Sequence, residues 1–121
     1  MTFRVIVLPQ ARGDIDRNAD WWAEHHSVEQ ALRWSDAIYD QIETLADFPE
    51  SNSLSAENAD FPYEIRDKLV GLGSRPTYRA VFTIKDDTVF VLTVRRSAQD
   101  VLRTSDVGRI GSVLSRLEGL G

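Results

Sequence analysis

The chain opens on TFRVIVL, residues 2–8, where Phe3, Val5 and Val7 fall on one side of an extended segment and Arg4, Ile6 and Leu8 on the other. Apolar residues on both sides predict a strand covered on much of both faces, and Pro9 stops it. From Gln10 the period changes. Ala11, Ile15, Ala19 and Trp22 recur at spacings of four, four and three, the stripe of an amphipathic helix whose first turns carry Asp14 and Asp16. Ser27 followed by Gln30 has capping-box spacing, which predicts a break over Glu24–Ser27 and a second helix from Val28 to about Asp47. Its stripe is Ala31, Trp34, Ile38, Ile42 and Leu45. So short a connection implies an antiparallel hairpin in which Trp21 or Trp22 meets Trp34.

FPESNSLSAENADFP, residues 48–62, is bracketed by Pro and dense in Ser, Asn and acidic side chains. It reads as a loop of fifteen residues, a length that is uncommon in compact domains and often functional. Three extended segments follow, residues 63–70, 77–85 and 88–95. Gly71, Gly73 and Pro76 mark a turn before the second, and Asp86-Asp87 a tight hairpin turn before the third. In the middle segment Tyr78, Ala80, Phe82 and Ile84 alternate with Thr77, Arg79, Val81 and Thr83, which puts Arg79 on the less apolar face. In the tail, Asp106 precedes Val107, Ile110, Leu114, Leu117 and Leu120 at helical spacings, with Gly108 and Gly111 weakening the pattern. That helix either packs on the sheet or docks on a partner or on a second copy of the chain, as a homodimer. The expected fold class is α+β: an N-terminal strand, a two-helix antiparallel hairpin, a three-stranded antiparallel meander and a short C-terminal helical extension. Residues 1–103 form one domain in this reading, and 104–121 the extension.

Composition narrows the chemistry. The 121 residues include no cysteine, which excludes disulfides, thiolate nucleophiles and Cys-ligated metals and fits a reducing, cytoplasmic setting. No 18-residue apolar stretch and no signal-like start are present, so neither membrane insertion nor secretion is expected. The net charge of −5 is unevenly spread: residues 1–63 carry four basic and twelve acidic groups, a balance of −8, and residues 64–121 carry ten and seven, a balance of +3. His25-His26 point about 100° apart on a helix and have no third ligand at a suitable spacing, so no metal site is expected. Phosphate-cradling glycine motifs, a Gly-x-Ser-x-Gly elbow and a calcium loop are missing from the sequence, and no cofactor is expected. What remains is cationic: Arg66 and Lys68 on the first meander segment, Arg79 on the second, Arg95 and Arg96 ending the third. Arg66 and Lys68 share a face, and with Arg79 and one of the Arg95-Arg96 pair converging on them across the meander the cluster would bind a phosphodiester or an acidic peptide; the plainer alternative pairs these side chains with Glu64, Asp67 or the carboxylates of the helices. With RNA bound, an Arg fork would stabilise the added charge of an in-line 2′-hydroxyl attack without metal.

Tyr63-Glu-Ile-Arg66, then Gly71-Leu-Gly-Ser-Arg-Pro-Thr-Tyr-Arg79-Ala-Val-Phe-Thr-Ile84, then Val91-Leu-Thr-Val-Arg-Arg96, after a β-α-α start with Pro9-x-Ala11-x-x-Asp14-Ile15, resembles the RelE/ParE superfamily of type II toxin–antitoxin toxins, a plasmid-stabilisation group. The resemblance covers residues 3 to about 102. It implies a helical hairpin packed on an antiparallel sheet, and a cognate antitoxin from an adjoining gene that occupies the hydrophobic groove beside the hairpin or the sheet edge. RelE-like members are ribosome-dependent mRNA endonucleases using 2′-hydroxyl attack; ParE-like members inhibit DNA gyrase. In the nuclease reading Arg79, Arg96 and Arg66 are the catalytic set, Arg79 matching the sheet arginine used at the phosphate. Glu64 stands where that set has a second basic residue, and Ser97 to Arg103 holds no His or Tyr as acid or base. The acidic N-terminal half also disfavours docking to rRNA. A ParE-like gyrase inhibitor is therefore the first expectation, a RelE-like enzyme acting on ribosome-bound mRNA the second, and a non-toxic binding module or decayed toxin the third.

Overall fold

The computed structural model describes residues 2–73, 77–97 and 101–107. Strand β1 (Arg4–Val7) runs through Leu8 into helix α1 (Pro9–His25). Pro9 sits in the first helical turn, where its missing N–H has no intrahelical partner to lose, so the residue that ends the strand also starts the helix. Ser27 is extended, and its hydroxyl accepts from the Gln30 N–H at 3.0 Å, capping helix α2 (Val28–Glu43). A 3-10 turn, Thr44–Ala46, completes the second helix close to the expected end.

The stripe of α2 faces the sheet, with Trp34, Ile38, Ile42 and Leu45 almost fully buried. Trp34 packs edge-on against Tyr78 of the sheet at 5.0 Å, whereas Trp21 and Trp22 pack on each other at 5.3 Å. Trp22 also packs against the buried cluster that holds Trp34.

Strands β2 (Arg66–Val70), β3 (Tyr78–Lys85) and β4 (Thr88–Arg96) form the antiparallel meander, and β1 adds parallel to β4, giving the order β1-β4-β3-β2. Parallel neighbours need a crossover, which the hairpin and meander supply. Asp86 takes φ 55° at the β3–β4 turn, a left-handed conformation that Asp tolerates. Leu92 bulges from β4: Val81 pairs with Thr93 and Phe82 with Val91. At that bulge the buried Asp14 carboxylate accepts from the Thr93 hydroxyl and, at 3.2 Å, from the Val94 N–H, pinning α1 to β4.

Both faces of the sheet are covered. On one, Ile15, Trp34 and Ile38 pack on Tyr78, Ala80, Phe82 and Val89. On the other, Ile65, Val81, Phe90 and Leu92 meet Phe61, Leu102 and Val107. The second cover comes from the long loop and from residues 101–107. The loop folds into 3-10 turns at Pro49–Ser51 and Asn58–Asp60 and, between them, runs beside β2 through a Leu54–Arg66 bridge. Ile65 is engaged by this loop on both its backbone groups, by Ser55 N–H at 2.9 Å and Asn58 Oδ1 at 2.8 Å, and β2 accordingly starts at Arg66 and not at Tyr63. After residue 103 a 3-10 turn, Thr104–Val107, is present. The remainder of the expected C-terminal helix lies outside the described residues.

Candidate functional site

Arg79 stands on the loop-covered face of β3, with Leu69 of β2 and Arg95 of β4 as its cross-strand neighbours. A hollow of about 380 Å³ opens there, lined by Ala56, Glu57, Asp67, Leu69, Arg79 and Val101 among others. Arg79 is 5% exposed. Its Nη1 donates to Glu57 Oε1 at 2.9 Å and to Asp67 Oδ2 at 3.1 Å, and its Nη2 donates to Glu57 Oε2. The guanidinium fork thus meets both oxygens of one carboxylate and an oxygen of a second.

Each carboxylate is itself anchored. Glu57 Oε2 accepts the Leu102 N–H at 2.7 Å, and Asp67 Oδ1 accepts the Ser55 hydroxyl. The Arg79 hydrogen bonds hold the Glu57 carboxyl down to about 2, against the opposing effect of burial, with the Leu102 N–H adding to the lowering. Arg79 is raised above its ordinary value by the same bond to Glu57 and by Asp67. Loop, sheet and C-terminal segment are therefore joined at one buried charge cluster.

The other cations lie in three different places. Arg66 and Lys68 pair in register with Phe82 and Ala80, whose side chains belong to the helix-side core, whereas Arg79 and Arg95 occupy the opposite face. The anticipated convergence of Arg79 and one of Arg95 and Arg96 on Arg66 and Lys68 fails because strand residues alternate faces, and the β2–β3 register puts Arg66 and Lys68 opposite the even-numbered residues of β3. Arg66 donates to the carbonyls of Asn52 at 2.5 Å and Glu50 at 3.2 Å and pairs with Glu64 at 3.0 Å. Arg95 reaches the Val101 carbonyl at 3.2 Å and Asp106 at 3.3 Å. Asp106 is lowered, first by the Arg103 N–H and further by Arg95. Arg96 projects on the helix side, its guanidinium carbon 5.3 Å from the centre of the Trp21 ring.

Glu57 has no signal in the sequence beyond membership of an acidic loop. Asp67 has a faint one, sitting between two cations on a strand. The two tyrosines near the sheet are both drawn inward: burial pushes the Tyr63 phenol up, and Tyr78 is buried against Trp34. Among the described residues no group of three or more His, Cys, Asp or Glu is placed to hold a metal ion, and no helix is long and apolar enough to cross a membrane.

A family model described as the ParE toxin of the type II toxin–antitoxin system, parDE, matches residues 5–101. The chain belongs to the ParE toxin family. A solved structure titled "Chromosomal ParDE TA system from P. aeruginosa" shares its fold at a TM-score of 0.64 and 19% identity, covering 78% of this chain and 96% of that one. No curated protein matches the chain. For a ParE-family toxin, a cognate antitoxin is the partner that this membership supports.

Proposed function

We propose that this ParE-family chain acts by binding a protein target, DNA gyrase, without cutting RNA, and that its cognate antitoxin neutralises it. The observation that carries the reading is the state of Arg79. A phosphate at this guanidinium would have to displace Glu57 and Asp67, or approach beside their charges, and Arg95, the cross-strand neighbour of Arg79, is itself engaged by Asp106. Neither Arg66 nor Lys68 lies on the same face to offset them. Proton transfer is no better served: burial raises the Tyr63 phenol, moving it away from neutrality, and Tyr78 is enclosed in the core.

The groove between the helices suits the antitoxin better than the sheet edge does. Along the outer side of β2, Ile65 and Asp67 are bonded to Ser55 and Ser53, and Gly71 exchanges two hydrogen bonds with the Gln41 side chain at 2.8 and 3.0 Å. Leu69 alone is left between them, too short an edge for a docking strand. On the hairpin, a hollow of about 300 Å³ is floored by Ala19, Ala23 and Ala31, flanked by the exposed Val28 and Leu32, and rimmed by Asp16 and Asp20. Residues 9–43 carry eight acidic and three basic groups. That complements a basic amphipathic helix and repels a second hairpin of the same kind.

The deciding experiment titrates purified chain into a supercoiling reaction with purified DNA gyrase, and separately into a translating extract in which mRNA cleavage is mapped. Inhibited supercoiling with intact mRNA is the expected pair of results. Unaffected gyrase together with mapped cleavage would overturn the proposal in favour of the nuclease.

A further inference from the structure

Arg79 and Arg66 are held by carboxylates, and Arg95 is bound to Asp106. Arg96 differs. It is exposed, faces no carboxylate among the described residues, and lies over Trp21, which is itself 36% exposed. Trp21 is held in place by further rings: His25 stacks on it at 4.4 Å and 17°, His26 tilts against it at 5.8 Å, and Trp22 meets it edge-on. Because a carbonyl oxygen accepts, the 2.9 Å contact between His25 Nδ1 and the Trp21 carbonyl places a proton on Nδ1 and fixes the ring. The result is an indole and an imidazole held by ring contacts and a hydrogen bond, with an exposed guanidinium over the indole.

We propose that Trp21, His25 and Arg96 form the contact through which the chain grips its protein target, receiving a carboxylate flanked by apolar side chains. Trp and Arg dominate the energetic centres of protein interfaces, and preordered aromatic anchors bind at low entropic cost. Stacking on Trp21 orients the Arg96 fork while leaving its N–H donors for an acceptor from outside. The surroundings select the kind of partner. A nucleic acid would bring a row of phosphates along a hairpin that carries eight acidic groups against three basic ones, whereas a protein segment brings one carboxylate with apolar neighbours. The inference rests on the reading that the target is a protein.

The test uses the full chain induced in cells without the antitoxin, and purified for complex formation with it. Arg96→Glu and Trp21→Ala should weaken growth arrest, and inhibition of gyrase supercoiling, by roughly thirtyfold or more, the loss of one dominant interface contact. Antitoxin binding and melting temperature should stay at wild-type values. Arg4→Glu makes the same charge change at the other end of the sheet and should leave arrest intact. Trp21→Phe keeps a ring and should recover part of the activity, which separates stacking from misfolding. Full arrest by both Arg96→Glu and Trp21→Ala overturns the proposal; so does loss of antitoxin binding in step with arrest, which would assign the patch to the antitoxin. Loss of mapped mRNA cleavage in these variants would assign it to nucleic acid and also overturn the proposal. If wild-type chain leaves gyrase unaffected but still arrests growth, the gyrase target falls and the arrest data alone decide the surface.

Discussion

Glu57 and Arg79 are separated by 22 positions in sequence, yet both carboxylate oxygens of the first meet the two terminal nitrogens of the second in a buried pair. Glu57 comes from the long loop, and Arg79 from the middle of β3. The pair closes the loop over the sheet, and through the Leu102 N–H it draws in the C-terminal segment as well. Arg79, which the resemblance to RelE-like nucleases would put at the phosphate, is in this molecule part of what holds the loop down.

Removing one member of such a pair leaves the other buried and uncompensated. Arg79→Ala should cost about 3–5 kcal/mol of stability, read as a lower urea midpoint. Replacing both partners with apolar residues, Arg79→Met with Glu57→Leu, should cost much less than the sum of the single changes. An Arg79→Ala chain of unchanged stability that has lost toxicity would mean that Arg79 acts on the target directly.

Acid should loosen the same closure. Glu57 titrates near 2 in the folded chain and near 4.5 unfolded, so the unfolded state takes up its proton first as the pH falls. Its contribution, roughly 3 kcal/mol by linkage, is complete above about pH 4.5 and disappears as pH falls toward 2. Thermal melts between pH 2 and 6 should show this loss, and Glu57→Gln should flatten that part of the curve while lowering stability at neutral pH.

Asp14 fastens the hairpin to the sheet. Asp14→Ala leaves the Thr93 hydroxyl and the Val94 N–H buried without their acceptor, at about 1–3 kcal/mol for each such group. Asp14→Asn keeps an acceptor oxygen and should lose less. Equilibrium urea unfolding of the two variants distinguishes them; equal losses would mean that charge and not hydrogen bonding is what α1 supplies here.

Gln41, a half-buried residue of α2, occupies the edge of β2 as a strand would. Gln41→Ala should cost about 1–2 kcal/mol through its two lost bonds and lengthen the open edge from Leu69 to Gly71. Increased self-association in sedimentation velocity is the expected sign. A variant that stays as monodisperse as the wild type would show that the loop alone protects the edge.

Much of the architecture was legible from local pattern. Apolar spacing located both helices, Ser27 with Gln30 marked the start of the second to the residue, and the turns at Gly71 and Asp86 separated the meander strands. These signals are local, since a cap, a stripe or a turn is written within a few positions. Less was legible about the site. The strands identified which residues are cationic and offered Glu64 and Asp67 as partners, which pair with Arg66 and Arg79, but nothing local pointed to Glu57 or Asp106.

What the sequence determined by itself is the order of elements, the helix boundary at Ser27, the charge division along the chain and the set of sheet cations. Tertiary structure alone decided which cations are engaged and which are presented. One residue of register sends Arg66 and Lys68 to the opposite face from Arg79, a loop with no periodicity delivers Glu57 to Arg79, and the end of α1 brings Trp21 under Arg96. Each of these depends on contacts between segments far apart in the chain, where a difference of one residue in pairing reverses the side a charge faces.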